Sequence, residues 1–147
     1  MFDIDAIRRG HKRFLAANQA MIATQAAEAG KFAVDYVHAH PAFKPRSGHL
    51  QDSTQWRTVR LTSGRVLRIQ NTAKYAGFVE GGTKPHVIEG RRGKPLRFLW
   101  KGQLTFLRRV HHPGTKATHF LYRATDAASR ILGQGLASGM HRLARKF

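Results

Sequence analysis

Glycine, threonine, lysine and histidine crowd into two runs of this chain, "YAGFVEGGTKPHVIEG" (residues 75–90) and "RVHHPGTKATHFLYRA" (residues 109–124). All four residue types serve in active sites, so three chemistries have to be weighed. The first is phosphate binding. A Walker loop sets Lys before Ser or Thr and then opens a helix, whose first amides hold the phosphate. In "GFVEGGTK" the order is reversed, Thr83 before Lys84, and Pro85 follows. The second is metal binding, by His111, His112 and His119 or by His38 and His40. Adjacent histidines on a strand point to opposite faces and do not share an ion, and no acidic residue stands near either group to complete a shell. They read as surface or interface histidines, and neither a metal nor another cofactor is expected. The third is acid–base or nucleophilic catalysis. Of eight acids only Asp52, Glu80, Glu89 and Asp126 lie outside the first 40 residues, and Ser47 and Ser53 lack a G-x-S-x-G context. No catalytic residue is expected.

The glycines then take a backbone reading. Gly81 and Gly82 let the chain reverse sharply with positive φ, with Tyr75, Phe78 and Val79 anchored in the core and Glu80 left at the turn. His112-Pro113-Gly114 makes a rigid corner before the last element.

Two kinds of element, helices and strands, must position these turns. Ile4, Ile7, Phe14, Met21, Ile22, Ala29, Phe32, Ala33 and Tyr36 recur with a helical period. They predict one helix over residues 1–40, with Asp3 and Asp5 at its favourable end and bends allowed at Gly10 and Gly30. Pro41 and Pro45 end it. "SGHLQDS" (47–53) precedes a change of period. Strands are predicted at 54–62 and 65–71 about a Ser63–Gly64 turn, then at 85–88 and 96–100, and again at 104–110 after Lys101-Gly102-Gln103. A last helix over 118–145 is predicted with Thr118 as its cap, weakened by Gly133, Gly135 and Gly139. The result is one α+β domain over 1–147: a small antiparallel sheet with a basic hairpin (54–110), packed with a long N-terminal and a C-terminal helix.

Length and composition suit a domain with its own core: 147 residues, 41% hydrophobic, no cysteine. No apolar run reaches the ~20 residues of a membrane span. "MFDIDAIRRG" has no signal core, so a soluble protein made in the cytoplasm is expected. The formal net charge is +18. Eight Lys or Arg and no acid fall between Arg91 and Lys116. Such a balance attracts nucleic acid or an acidic protein surface. Its plainer meaning is a solubilising surface.

The ordered phrases resemble a known family. "RSGHLQDS" is like a recurrent "TGxLxxS", "NTAKYAGFVEGGT" like "YAxxxExGT", and "HPGTKATHFLYRA" like "hPGtk…pFlxxA". Over roughly residues 10–130 the series resembles the tail-completion, or head–tail joining, family of neck proteins from long-tailed bacteriophages. The resemblance implies a non-enzymatic virion protein of the neck or upper tail. It implies a hexameric ring around the DNA channel, and other neck and tail proteins as partners. The family motif falls on Tyr75, Ala76, Glu80, Gly82 and Thr83, then on His112, Pro113, Gly114, Phe120 and Ala124. With Gly81, these imply fold and subunit-interface roles. The chain departs from the family in a basic excursion, "EGRRGKPLRFLWKGQLTFLRR" (89–109). Arg91, Arg92, Lys94, Lys101, Arg108, Arg109 and Lys116 are expected to face channel DNA, without base-specific contact, or an acidic partner. The alternative is a stand-alone nucleic-acid-binding module stacking bases on Trp56, Phe98, Trp100 and Phe106. Ordinary core packing is the simpler expectation for those aromatics.

Overall fold

The computed structural model describes residues 3–45, 47–62 and 64–147. As expected, a long N-terminal helix and a C-terminal helix bracket antiparallel strands, but the strands form three separate pairs instead of one sheet, and two short helices lie among them. α1 (Ile4–Ala39) starts at Asp3, whose carboxylate accepts the Ala6 N–H at 2.9 Å. Its 36 residues extend about 54 Å at 1.5 Å each. The helix runs unbroken through Gly10 and Gly30, where bends were allowed for. Gly30 has a different role: a β-carbon there would run into the Trp56 ring, which packs against the helix at this glycine.

A four-residue helix, α2 (His49–Asp52), leads into β1 (Thr54–Leu61), which pairs antiparallel with β2 (Gly64–Asn71) from Thr54↔Asn71 to Leu61↔Gly64. Of the expected Ser63–Gly64 turn, Gly64 opens β2 and Ser63 lies outside the described residues. Asn71 ties the ribbon's base together. Its amide donates to the Leu50 carbonyl at 2.6 Å and to Thr54 Oγ1 at 2.9 Å, and its Oδ1 accepts the Ala73 N–H at 3.0 Å. The "SGHLQDS" phrase is thus stitched to "NTA". Next come α3 (Ala76–Gly81), then β3 (His86–Glu89), β4 (Leu96–Trp100), β5 (Gln103–Leu107) and β6 (Arg109–His112), and finally α4 (Phe120–Lys146). No helix among the described residues is long and apolar enough to cross a membrane.

α1 and α4 lie antiparallel. Phe14 meets Phe147 edge-on, and Met21 and Gln25 press on Gly139 and Gly135. These two glycines, expected only to weaken α4, therefore also give α1 side chains room. The core joins Ala29, Ala33 and Val37 of α1 to Phe120, Ala124 and Ala128 of α4, closed by Leu50, Ala73 and Ala76. Small side chains let the helices approach closely. Val37 and Phe120 supply the larger apolar burial, on the order of 2–3 kcal/mol each. Gly30 and Trp56 lock the β1–β2 ribbon onto α1.

The remaining strands do not join that ribbon. The β3–β6 pairing runs from His86↔His112 to Glu89↔Arg109, and the β4–β5 pairing from Leu96↔Leu107 to Trp100↔Gln103. Together they make one two-stranded arm, interrupted by a bulge. The Gly90 N–H still reaches the Arg108 carbonyl, but residues 91–95 have no counterpart between Arg108 and Leu107. That one-sided insertion splits the expected 104–110 strand in two. Lys101 and Gly102 close the tip, both with positive φ (47° and 82°), the primed turn that suits a two-residue hairpin.

Candidate functional site at the root of a basic arm

The arm is rooted where the two glycine-rich phrases meet. Thr83 and Thr115 exchange both backbone hydrogen bonds, at 3.0 and 3.1 Å, and their hydroxyls lie 3.1 Å apart. Gly82 (φ 71°) and Gly114 (φ 86°) flank this bridge in the left-handed region. A β-carbon on Gly82 would sit 2.5 Å from the Thr115 carbonyl oxygen, and one on Gly114 would strike the Thr83 carbonyl. Backbone conformation and close approach both demand glycine here. Gly81 differs from expectation: it completes α3, so the reversal uses Gly82 alone.

Glu80 sits half-buried in this junction, not loose at a turn. Its Oε2 accepts the Leu121 N–H at 2.8 Å and its Oε1 the Tyr122 N–H at 3.0 Å. The carboxylate therefore caps α4 from a separate helix, satisfying amides that have no intrahelical partner and lying at the positive end of the dipole. Thr118, the expected cap, instead turns back. Its hydroxyl and N–H both donate to the Val79 carbonyl, at 2.8 and 3.1 Å, and the His119 N–H donates to the Glu80 carbonyl at 3.1 Å. His119 occupies the N-cap position in a left-handed conformation with no side-chain cap bond. Ala76, Phe120 and Ala124 are buried beneath.

The other motif residues are spread around this root. His112 Nδ1 accepts the Gly114 N–H at 3.0 Å, which braces the corner at Pro113. His86 faces His112 across the strand pair with ring centroids 5.1 Å apart, while His111 projects from the other face. Tyr75 and Phe78 are not in the core as expected. They are 42% and 64% exposed, and Ala73 and Ala76 take the buried positions. Val79 alone of the three packs against the core. Phe78 and Tyr75, with Phe43, Val79, Pro85 and Ile88, line a groove of about 1120 Å³ beside the arm's root.

The expected basic residues fall into three places. Arg91, Arg92 and Lys94 occupy the bulge and Arg108 and Arg109 the strand across from it, so five of the seven fall in one stretch midway along the arm, where Lys94, Arg108 and Arg109 line a common hollow. Arg109 is partly neutralised by Glu89, at 2.9 and 3.0 Å. Lys101 stands at the tip, and Lys116 borders the groove at the root. Arg97, absent from the residues expected on sequence grounds, is exposed on β4 beside Phe106. Its place in a basic run was the available signal.

The arm's aromatics depart from the core-packing expectation. Trp56 packs on α1 and Phe98 is half-buried, but Trp100 is 62% and Phe106 55% exposed, alongside exposed Leu99, Leu104 and Leu107. At about 3.4 Å per residue, β5 and β6 together account for roughly 30 Å of the arm's length. Comparison with family models, with curated proteins and with solved structures finds no match for this chain.

Proposed function

We propose that the chain is a structural assembly protein of the neck or upper tail of a long-tailed bacteriophage. It is made in the host cytoplasm and incorporated into the virion, where it completes the tail and joins it to the DNA-filled head. The observation that carries this reading is the junction itself. Two phrases of the resemblance, "YAGFVEGGT" and "HPGTKATHFLYRA", are separated in sequence by the basic excursion, yet they form the two sides of one hydrogen-bonded lock. Their glycines, threonines and glutamate hold backbone and cap a helix, which supports reading them as fold determinants and not as catalytic groups. The family's hexameric ring would be built from head-to-tail contacts between copies, the kind that closes into a ring when the rotation permits. In such a ring an inward basic arm meets channel DNA through phosphate charge alone, or meets an acidic neighbouring ring.

A second reading, a stand-alone nucleic-acid-binding module, is favoured by one observation. Phe106 and Arg97 are exposed cross-strand neighbours, and Trp100 and Lys101 are exposed at the tip. This is the aromatic-plus-cation arrangement that stacks bases. A titration against naked DNA over a range of salt separates the two. The neck reading expects non-specific binding of about 1–100 μM, steep in salt and without a footprint. Replacing Arg91, Arg92, Arg108 and Arg109 by Gln should flatten the salt slope by about 0.9 for each phosphate that is no longer neutralised. Nanomolar binding with a defined site size would make the module the better reading.

A further inference from the structure

The groove beside the arm's root is lined by both apolar and cationic side chains. Phe78, Val79, Pro85 and Ile88 form apolar walls, with Phe78 64% exposed although it is a large aromatic. Lys44, Lys84 and Lys116, all exposed, also line the groove, and among the described residues no carboxylate does. The nearby Glu80 is committed to the α4 amides. At about 1120 Å³ and open to solvent, the groove lies at the upper end of the ~300–1,000 Å³ scale of small-ligand pockets. Its scale suits several side chains of a polypeptide.

We infer that this groove docks an acidic, apolar-anchored segment of another protein, with an aromatic or leucine side chain against Phe78 and Ile88 and flanking carboxylates on the three lysines. The inference rests on the reading of the chain as an assembly component. Charge selects a foreign partner over a second copy. Of the chain's eight carboxylates, Asp3, Asp5, Glu89 and Asp126 are paired with arginines, Asp52 lies 3.9 Å from His38, and Glu80 caps α4. A second copy would bring a surface of +18 to the three lysines, with most of its acids already engaged. An acidic partner brings complementary charge, which speeds encounter and fixes register, while the apolar anchor supplies the affinity.

The test uses the full-length protein and a fluorescein-labelled ten-residue peptide with two phenylalanines flanked by glutamates. A twin peptide carries serines in place of the phenylalanines. The phenylalanine peptide should bind at least ten-fold more tightly than its twin, with amide shifts concentrated at residues 78–88 and 115–118. Phe78→Ser, a change at an exposed position that leaves the core intact, should abolish that ten-fold difference without altering the twin's affinity. Lys84→Glu with Lys116→Glu should weaken both peptides. Equal affinity for the two peptides, or shifts spread along residues 91–109, would mean charge attraction to the arm and overturn the inference. Self-association in sedimentation that Phe78→Ser removes would identify a second copy as the occupant and overturn it equally. Whether the protein joins heads to tails is read separately, by imaging particles, so failure of the groove and failure of the assembly reading are distinguishable.

Discussion

Glu80 couples the motif to the fold through two acceptor atoms. Glu80→Ala leaves the Leu121 and Tyr122 amides without their acceptors and should lower stability by about 0.5–2 kcal/mol, the usual cost of losing a helix cap. Glu80→Gln keeps an acceptor oxygen but loses the charge at the helix dipole, typically worth about 0.3–1 kcal/mol, so its urea midpoint should fall between those of wild type and alanine. Two glycines make a second comparison. Gly133→Ala meets open space in α4 and should stabilise by up to ~1 kcal/mol. Gly30→Ala has the same helical advantage, but its methyl group meets the rigid Trp56 ring, and overpacking of about 1–3 kcal/mol should make the net change destabilising. Denaturant unfolding of both variants reads the opposite signs. At this scale the sequence was only partly legible. Gly82 and Gly114 were read as turn glycines and hold positive φ. The capping role of Glu80 was hidden because its amide partners lie 41 and 42 residues away, whereas local capping rules look three residues ahead and so nominated Thr118.

Among the elements, α1, α4 and β4 were legible because long periodic runs and a clear hairpin turn leave few alternatives. α3 was not: six residues are under two turns, too short for a period to emerge. The mixture of Tyr75, Phe78 and Val79 looked like core because burial depends on which neighbours arrive, and small alanines arrived instead. The same limit applied to Trp100 and Phe106, whose strand preference was correct and whose exposure follows from an arm with no layer packed over it. A two-stranded ribbon of this kind is marginal by itself. Backbone amides of β4 and β5 should therefore exchange with deuterium faster than those of β1 and β2, which are held against α1 by Trp56 and Gly30. Equal protection in the two ribbons would show that the arm is covered in solution, and would point to association of the free protein.

For the molecule as a whole, charge and shape add to the proposed reading that the junction carries. A net charge of +18, five cations placed midway along a two-stranded arm, and three lysines lining the groove at its root are what an anionic partner would meet under the proposed reading. The sequence showed the basic run but not its three-part placement, since the bulge that gathers Arg91, Arg92 and Lys94 opposite Arg108 and Arg109 exists only once the register is set. The most direct measurement inactivates the gene in its parent phage or prophage and images the induced lysate by electron microscopy. The proposed joining role predicts DNA-filled heads lying beside separate, finished tails, with joined particles restored by the wild-type gene supplied in trans. Normal, infectious particles in the absence of the protein would contradict it.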